Sequence, residues 1–362
     1  MPLVNPINRP AVCEGRLTLV SGTAVTQTDQ TAKTTVYFTP YRGNRIALFN
    51  GVNWDVKTFS EVSVAVPSDL FRLFDVFVYD NAGTITLDAT TWDQSTGAIT
   101  GASAANPCVI TDVAHGLSTG DIIGIASITG TIGTDATNGL NGNIYTVTVL
   151  TVDTFEIRPS NTAGLAYTSG GTWYKLPNTR TTALVSQDGV QVKTGATSRR
   201  YLGTCMTTGT SGQTESSVSN RYVWNYYNQL FAPLVRRENT GSWTYSSATA
   251  RQANARPHNQ LNFVCGIAET TIHGCVRIKC EVSALSDVTV FIGLDGTTAL
   301  ADFIANSIPI SAGTFTVVVY EGWSRVSSAG YHFLGWVEQG NGVQTMTFYG
   351  QSAFGMAADI LC

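Results

Sequence analysis

Residues that do acid–base or nucleophilic chemistry are few and scattered in this chain of 362 residues. It contains no G-x-S-x-G elbow, no H-E-x-x-H pair, no Walker loop and no dinucleotide-binding fingerprint. Acidic residues such as Asp287, Asp295 and Glu321 stand alone in the sequence. A glycosidase needs two carboxylates about 5–10 Å apart, a separation that linear sequence does not test. We predict that the chain is not an enzyme, with polysaccharide cleavage as the lesser alternative.

Two of the four histidines lie in positions that favour a structural role. His115 belongs to the turn AHGLSTGD, where its ring can hold a neighbouring strand by hydrogen bonding. His332 lies between Tyr331 and Phe333 in a strand-like stretch, which favours a hydrogen-bonded or interface histidine over a base. We predict no catalytic residue at either position.

The seven cysteines predict neither a disulfide framework nor a metal centre. Their number is odd and their density low, which is typical of a chain that folds in a reducing cytoplasm. Cys265, His273, Cys275 and Cys280 are close in sequence, but they lack the C-x2-C pair typical of structural zinc sites. Cys275 and Cys280 are an odd number of residues apart, so a strand places them on opposite faces. We predict no metal and no cofactor.

An aromatic run, Tyr222, Trp224, Tyr226 and Tyr227, offers two binding roles. Tyrosine and tryptophan are enriched at subunit interfaces, and their rings also stack on sugars. We predict an apolar seam around a threefold axis, because the run lies between two domains; the alternative is a platform for host glycan.

The pair Arg199 and Arg200 is the second candidate for a subunit interface. Two adjacent arginines are a weak signal for nucleic acid in a chain of net charge −4. We predict a bidentate salt bridge to a neighbouring subunit, and no nucleic-acid partner. No apolar run is long enough to cross a bilayer, so we predict no membrane insertion.

The elements that position these residues are predicted to be strands throughout. Short segments rich in Thr, Val, Tyr and Phe alternate with turn dipeptides such as Asn50-Gly51, Asp188-Gly189 and Asn341-Gly342. Such dipeptides supply the positive φ that tight hairpin loops require. The sequence therefore predicts the all-β class.

A stretch of about seventy residues resembles a known small β-barrel. The segments AHGLSTGDIIGI, LNGNIYTVTVLTVDTFEI and YTSGGTW resemble the barrel related to the first catalytic cysteine half-domain of ubiquitin-activating enzymes. The resemblance implies a structural module that also occurs in phage virion proteins, without adenylating or thiol chemistry. Cys108, at its first strand, is predicted to be a core residue.

The sequence on either side of this module resembles a second family. The segments LTLVSGTAVTQTDQTAKTTVYFTPYRGNRIALFNGVNWDVKTFSEVSV, TRTTALVSQDGVQVKTGATSRRYLGT and SSVSNRYVWNYYN resemble the N-terminal domain of tailed-phage fibre and virion proteins. In that family the Trp-containing segment leads directly to the QDGV hairpin. The barrel is therefore identified as an insertion between Trp92 and Arg180.

The predicted organisation has five parts. They are an extended N-terminal arm at 1–15, a split N-terminal β-sandwich or barrel at 16–96 plus 177–221, an inserted small β-barrel at 97–176, an aromatic linker at 222–235, and a C-terminal jelly-roll-like β-sandwich at 236–362. The arm, with three prolines in its first ten residues, either pairs with a neighbouring subunit or frays.

The resemblance implies a structural component of a tailed-phage virion. The expected form is a homotrimeric fibre, spike or collar appendage, folded in the host cytoplasm and exposed on the particle surface. Its N-terminal domain is expected to anchor it to other virion proteins of the tail, neck or capsid, and adhesion to host glycan is a further expected role. The alternatives are a capsid decoration or stabilising protein and, less favoured, a glycan-binding or depolymerising tailspike.

Overall fold

The computed structural model describes residues 10–176, 179–268, 270–282, 286–297, 306–310, 313–326, 328–351 and 354–362, with the backbone alone at 286–288, 306–310 and 313–325. Across these residues the only helices are a four-residue turn, α1 (Thr131–Thr134), and a 3-10 turn at Ala253–Ala255. The remaining regular elements are strands, so the predicted all-β class is confirmed.

Seven of the first eight strands, all but β2, build the N-terminal sandwich. Strands β1, β3 and β6 form one antiparallel sheet, and β4 pairs with β5. Strands β7 and β8 form a hairpin that belongs to a second sheet. The bounds are β1 (Gly15–Thr18), β2 (Gln30–Lys33), β3 (Thr35–Pro40), β4 (Arg45–Phe49), β5 (Trp54–Thr58), β6 (Val62–Ala65), β7 (Leu73–Asn81) and β8 (Thr84–Thr91).

The next seven strands form a closed barrel with its own core. Their bounds are β9 (Thr96–Ala98), β10 (Gly101–Ala102), β11 (Cys108–Thr111), β12 (Ile122–Thr129), β13 (Ile144–Val149), β14 (Thr154–Arg158) and β15 (Ser169–Lys175). The sheet order is β10-β11-β14-β13-β12-β15-β9. Only Ile99 and Thr100 separate β9 from β10, so one segment pairs with both ends of the sheet and closes it.

Six strands after the barrel return to the N-terminal domain and leave it again. Their bounds are β16 (Leu184–Gln187), β17 (Val190–Lys193), β18 (Ala196–Met206), β19 (Thr214–Ser216), β20 (Asn220–Arg221) and β21 (Val223–Asn225). The sheet order β16-β17-β18-β7-β8 places β18 beside β7, with Arg200 opposite Val78. The QDGV hairpin thus extends the sheet that begins before the barrel.

The last eleven strands form most of a two-layer sandwich. Their bounds are β22 (Phe231–Arg237), β23 (Trp243–Tyr245), β24 (Arg251–Gln252), β25 (Gln260–Cys265), β26 (Thr271–Val282), β27 (Ser286–Leu294), β28 (Asn306–Ile310), β29 (Gly313–Arg325), β30 (Gly330–Gln339), β31 (Met346–Tyr349) and β32 (Gly355–Leu361). One layer is β22-β32-β26-β31-β23, with β29 also paired to β26; the other contains β25-β30-β27-β28, with β24 also paired to β30.

The sheets cross the predicted domain boundaries. Strands β2, β19 and β20 continue the C-terminal sheet, because β20 pairs in parallel with β25. The predicted aromatic linker at 222–235 is wrong, since β21 pairs with β18 in one domain and β22 with β32 in the other. The predicted arm at 1–15 also ends early, because Cys13 bridges Ile46 and Gly15 begins β1; residues 1–9 lie outside the described residues.

Each body has a hydrophobic core, and one core spans the domain junctions. The N-terminal sandwich buries Phe38, Phe74 and Val76, and the barrel buries Phe155 and Ile157 among others. The largest cluster runs from Phe71 and Leu176 through Tyr201 and Trp224 into the C-terminal sandwich, where Trp336 and Phe348 lie. Continuous apolar packing therefore joins the parts of the chain.

Candidate functional site

Arg200 lies at the centre of the N-terminal domain rather than on its surface. Its side chain is fully buried in β18, and Nη1 donates to the carbonyl oxygens of Pro10 at 2.7 Å, Val12 at 2.9 Å and Ala47 at 2.8 Å. Nε donates to the Tyr227 hydroxyl at 3.2 Å. The predicted salt bridge from Arg200 to a neighbouring subunit is therefore wrong, because the guanidinium is buried inside the chain, where Nη1 and Nε are bonded and Nη2 is out of reach of another subunit.

Arg199 also has a partner within the chain. Its Nε donates to Asp88 Oδ2 at 3.1 Å, and its guanidinium lies over the Tyr79 ring at 4.4 Å. About a third of the side chain is exposed. Arg199 therefore has an ion-pair partner within its own sheet, and its contact with a neighbouring subunit stays a prediction.

Tyr222 and Trp224 are buried between the two sandwiches. Trp224 is 1% exposed, and its Nε1 donates to Thr270 Oγ1 at 3.1 Å. Gly266 is needed here because a Cβ at that position would lie 2.1 Å from the Tyr201 hydroxyl and 2.3 Å from the Trp224 ring. These two members of the predicted subunit seam are instead intramolecular core, since the chain alone covers them.

Tyr226 and Tyr227 are half-buried and line an open cleft of about 470 Å³. Tyr226 packs edge-on against Tyr227, with ring centroids 4.8 Å apart, and lies 6.2 Å from the Trp224 ring. Gln229, Ile267, Thr270 and Leu361 complete the described lining. Of the aromatic run, these two tyrosines are therefore the members that solvent reaches.

The backbone corner that presents these tyrosines is fixed on both sides. Asn228 has a φ of 54°, and its Nδ2 donates to the carbonyls of Cys13 and Gly15, both at 2.9 Å. Gln229 Nε2 donates to the Asn225 carbonyl at 2.8 Å. Asparagine tolerates the left-handed region because its short polar side chain bonds locally, which explains its place in this corner.

The two ends of the inserted barrel meet at Arg180. Its guanidinium lies 4.5 Å from the Trp92 ring, and Thr181 Oγ1 donates to the Thr91 carbonyl at 2.7 Å. Insertion of a domain whose ends are adjacent leaves the host sheet intact. The contact between Arg180 and Trp92 thus closes the host domain beneath the barrel.

Arg180 also forms a buried ion pair that sequence analysis missed. Its Nε donates to Asp75 Oδ2 at 2.6 Å, and its Nη2 donates to the Tyr201 hydroxyl at 3.3 Å and to the Gly266 carbonyl. Burial raises the pKa of Asp75, and the Arg180 guanidinium opposes that shift. An aspartate inside a strand gives no local signal of such a partner.

The two histidines assigned structural roles make hydrogen bonds that fit them. His115 Nδ1 accepts from the Leu117 amide at 3.0 Å, and Nε2 lies 3.1 Å from the Thr151 carbonyl oxygen. His115 thus ties two barrel loops together.

His332 lies in a serine–histidine–aspartate arrangement. Nδ1 is 2.7 Å from Asp295 Oδ2, and Nε2 is 3.5 Å from the Ser328 hydroxyl. The Ser328 carbonyl oxygen is closer to Nε2, at 3.1 Å, than the hydroxyl is. These distances favour a histidine that links two turns over one that activates a serine nucleophile.

Six of the seven thiols, all but Cys275, are buried, and burial raises their pKa and favours the protonated, unreactive form. None of the seven cysteines forms a disulfide bond. Burial raises the pKa of Cys13 and Cys280 to about 11 and that of Cys265 to about 12. Cys275 and Cys280 lie on opposite faces of β26, as predicted. Within the described ranges, no three His, Cys, Asp or Glu side chains are grouped as metal ligands.

Two other clefts lie where the domains meet. One of about 560 Å³ separates the barrel, at Pro107 and Pro159, from the C-terminal sandwich, at Ala250 and Phe333. A smaller polar one of about 170 Å³ contains His258, whose pKa burial and the nearby Arg236 and Arg256 lower to about 4. Both clefts belong to interdomain contacts. No helix in the described part of the chain is long and apolar enough to span a membrane.

Comparisons with known proteins identify no relative that informs function. No protein-family model matches the chain, and no curated protein matches its sequence. Among solved structures, dimeric latent PorU from Porphyromonas gingivalis is similar at a TM-score of 0.24 and 4% identity, over 80% of this chain and 24% of that chain.

Two further solved structures have similarly low scores. The mosquito-larvicidal Cry4Aa toxin from Bacillus thuringiensis has a TM-score of 0.17 at 10% identity, covering 93% of this chain and 50% of that one. The VP2 protein of infectious bursal disease virus has a TM-score of 0.20 at 9% identity, covering 94% and 75%. The chain thus spans a quarter of PorU and half of Cry4Aa, and at these scores no functional argument follows.

Proposed function

We propose that this chain is a structural component of a tailed-bacteriophage particle, in the form of a homotrimeric fibre, spike or collar appendage. It serves assembly of the particle and adhesion to the host surface. We propose no enzymatic activity, because the buried acids and arginines described above form hydrogen bonds and ion pairs with other strands and loops of the same chain.

One observation carries the proposal, namely the split sheet of the N-terminal domain. The hairpin of β16 and β17 and the long strand β18 join β7 and β8 across the inserted barrel. This hairpin contains the QDGV stretch by which the chain resembles tailed-phage virion proteins. Both that resemblance and the insertion therefore depend on the same residues.

Imaging of assembled particles with labelled antibody against the chain tests the proposal. Label at the tail, neck or fibres is the expected result. Label on the capsid faces would replace the appendage with a capsid decoration protein. Purified particles that contain all their other proteins but carry no label would contradict the virion role.

Light scattering tests the homotrimer separately. At micromolar concentration the expected molar mass is three times the chain mass of 38.6 kDa. A monomer under these conditions would contradict the homotrimeric appendage, because obligate subunits of a fibre stay associated at such concentrations.

A further inference from the structure

The cleft beside Tyr226 and Tyr227 has the size of a small-ligand site. Its volume of about 470 Å³ falls within the range of about 300–1,000 Å³ that such sites occupy. It lies where the N-terminal sandwich, through the corner after β21, meets Ile267 and Leu361 of the C-terminal sandwich. Two tyrosine rings form one wall, and the buried Trp224 contributes to the floor.

The chemistry of the lining selects an uncharged ligand with an apolar face and a polar rim. The described lining residues carry no ionisable acid or base apart from the two phenols. Rings and aliphatic side chains offer surface for C–H groups, whereas the Gln229 amide and the Tyr227 hydroxyl offer hydrogen bonds. A charged group entering here would lose water without gaining an ionic partner among the described lining residues.

The rings are held in place before any ligand arrives. The buried Arg200 donates from Nε to the Tyr227 hydroxyl at 3.2 Å, and its guanidinium lies 4.5 Å from the centre of that ring. Tyr226 is held between the rings of Tyr201, at 5.6 Å, and Trp224. A fixed ring loses little conformational entropy on binding, which favours affinity for a small ligand.

The shape of the cleft is that of a site for a small convex ligand. Tyr222 and Trp224 are covered within one chain, and the two remaining tyrosines line a concave surface. Contacts in a cyclic trimer are heterologous, so a seam here would need a different, convex patch of the neighbouring subunit to fill the cleft. A single pyranose ring has the size and shape to fill it without such a patch.

We propose that this cleft binds a neutral pyranose of a host-surface glycan, with one sugar face stacked on one of the two tyrosine rings and the other ring, which is nearly perpendicular to it, at the edge of the sugar. The Gln229 amide and the Tyr227 hydroxyl bond sugar hydroxyls. The proposal rests on the adhesion part of the proposed function and gives that part a site and a ligand class. One shallow sugar site binds in the millimolar range, and a trimer multiplies the effective affinity of a repeating glycan.

Saturation-transfer NMR on the purified full chain tests this proposal. The probes are methyl glycosides of glucose, galactose, mannose, rhamnose and N-acetylglucosamine, with glucuronic acid and N-acetylneuraminic acid as charged comparisons. Transfer to at least one neutral sugar, stronger than to either acid, is expected. Tyr227→Ala is expected to weaken binding about tenfold, the loss of one aromatic contact.

Two further variants keep the test decisive. Gln229→Ala removes a half-buried amide that also bonds the Asn225 carbonyl, and it is expected to weaken binding a few-fold in a chain whose fold is checked by far-UV circular dichroism. Tyr349→Ala removes a partly buried tyrosine bonded to Glu281 in the C-terminal sandwich and is expected to leave binding unchanged. The proposal would be overturned if no neutral sugar showed saturation transfer. It would also be overturned if the Tyr227 and Gln229 variants showed the same transfer as the unsubstituted chain.

The failure of this site is distinguishable from the failure of the virion role. If antibody finds the chain on phage tails but the chain binds no neutral sugar, the appendage role stands and the sugar site is wrong. If the chain binds sugar but is absent from particles, the sugar site stands and the virion role is wrong. If Tyr227→Ala instead converts an oligomer to monomers, the cleft is a subunit seam and the sugar site is wrong.

Discussion

Arg180 makes the contacts that connect three separate parts of the chain. Its guanidinium reaches Asp75 in β7, Tyr201 in β18 and the carbonyl of Gly266 after β25, and it lies on the Trp92 ring. Asp75 is 2% exposed, so water does not solvate a charge on its carboxylate. A buried ion pair stabilises the fold little more than an apolar pair of similar size would, but removal of one member strongly lowers the stability.

We expect Arg180→Ala to lower the free energy of unfolding by about 3–5 kcal/mol, because it leaves the buried Asp75 carboxylate without its cationic partner. Urea denaturation followed by tryptophan fluorescence measures the change. Arg199→Ala is the matched control: its partner Asp88 is partly exposed, and the expected loss is below about 1 kcal/mol. Equal losses in the two variants would contradict the assignment.

Glu338 is a second buried charge, in β30 of the C-terminal sandwich. It accepts from Trp243 Nε1 at 2.7 Å and from Arg251 Nε at 2.8 Å. Burial raises its pKa to about 7, partly offset by Arg251. The folded state then holds the proton more tightly than the unfolded chain, so this group favours folding below the unfolded pKa and loses that contribution as pH rises through about 7.

We expect the free energy of unfolding to fall between pH 5 and pH 8 by an amount on the order of a few kcal/mol from Glu338 alone. Glu338→Gln removes the titrating group and is expected to flatten this part of the profile. Urea denaturation at unit pH intervals measures it, with the exposed Glu281→Gln as control. A profile with the same slope in Glu338→Gln would assign the pH dependence elsewhere.

Phe71 is a central side chain in the contact between the barrel and the rest of the molecule. Phe71 precedes β7, is 2% exposed and lies 5.9 Å from the Tyr174 ring of β15. Gly124 of β12 allows this approach, because a Cβ there would lie 2.3 Å from the Phe71 ring. The contact therefore depends on the lack of a side chain at Gly124 as well as on the Phe71 ring.

We expect Gly124→Ala to destabilise the chain by about 1–3 kcal/mol through overpacking against Phe71. Thermal unfolding measures the loss, and the double variant Gly124→Ala with Phe71→Leu is expected to recover part of it. Gly241→Ala, where the added Cβ meets nothing within 4 Å, is the neutral control. No loss in Gly124→Ala would mean that the barrel docks elsewhere.

Local elements were predictable from the sequence, whereas their partners across the chain were not. Asp188 and Gly189 take φ values of 52° and 83° and join β16 to β17, as the turn dipeptide predicts. The parallel pairing of β20 with β25 leaves no such local signal.

The same difference applies to the candidate site. Aromatic residues at 222–227 were recognised as a binding candidate, but alternation alone did not show that Tyr222 and Trp224 face a neighbouring domain. Arg200 and Glu338 resemble solvated strand residues until tertiary structure surrounds them.

The whole molecule combines an insertion with a continuous junction core. The barrel has its own core and closed sheet, and the contacts of Arg180 with Trp92 and of Thr181 with Thr91 hold its two ends together. Domains whose ends are adjacent are exchangeable modules, provided that the surface beneath them tolerates exposure.

We expect the chain to fold without residues 95–177 when a short Gly-Ser linker replaces them. Exposure of Phe71 is expected to lower its solubility, and Phe71→Ser is expected to restore it. Far-UV circular dichroism and thermal unfolding check the fold. An unfolded product even with Phe71→Ser would show that the barrel is part of the folding unit.

The split sheet has a consequence for synthesis on the ribosome. Val78 of β7 pairs with Arg200 of β18, 122 positions later in the chain. At a synthesis rate of about 5–20 residues per second, roughly ten seconds pass between the synthesis of β7 and that of β18. The barrel emerges from the ribosome and closes during that time. Nascent chains on crowded polysomes therefore expose this apolar strand edge to one another, and translation speed through residues 96–175 sets the length of that exposure.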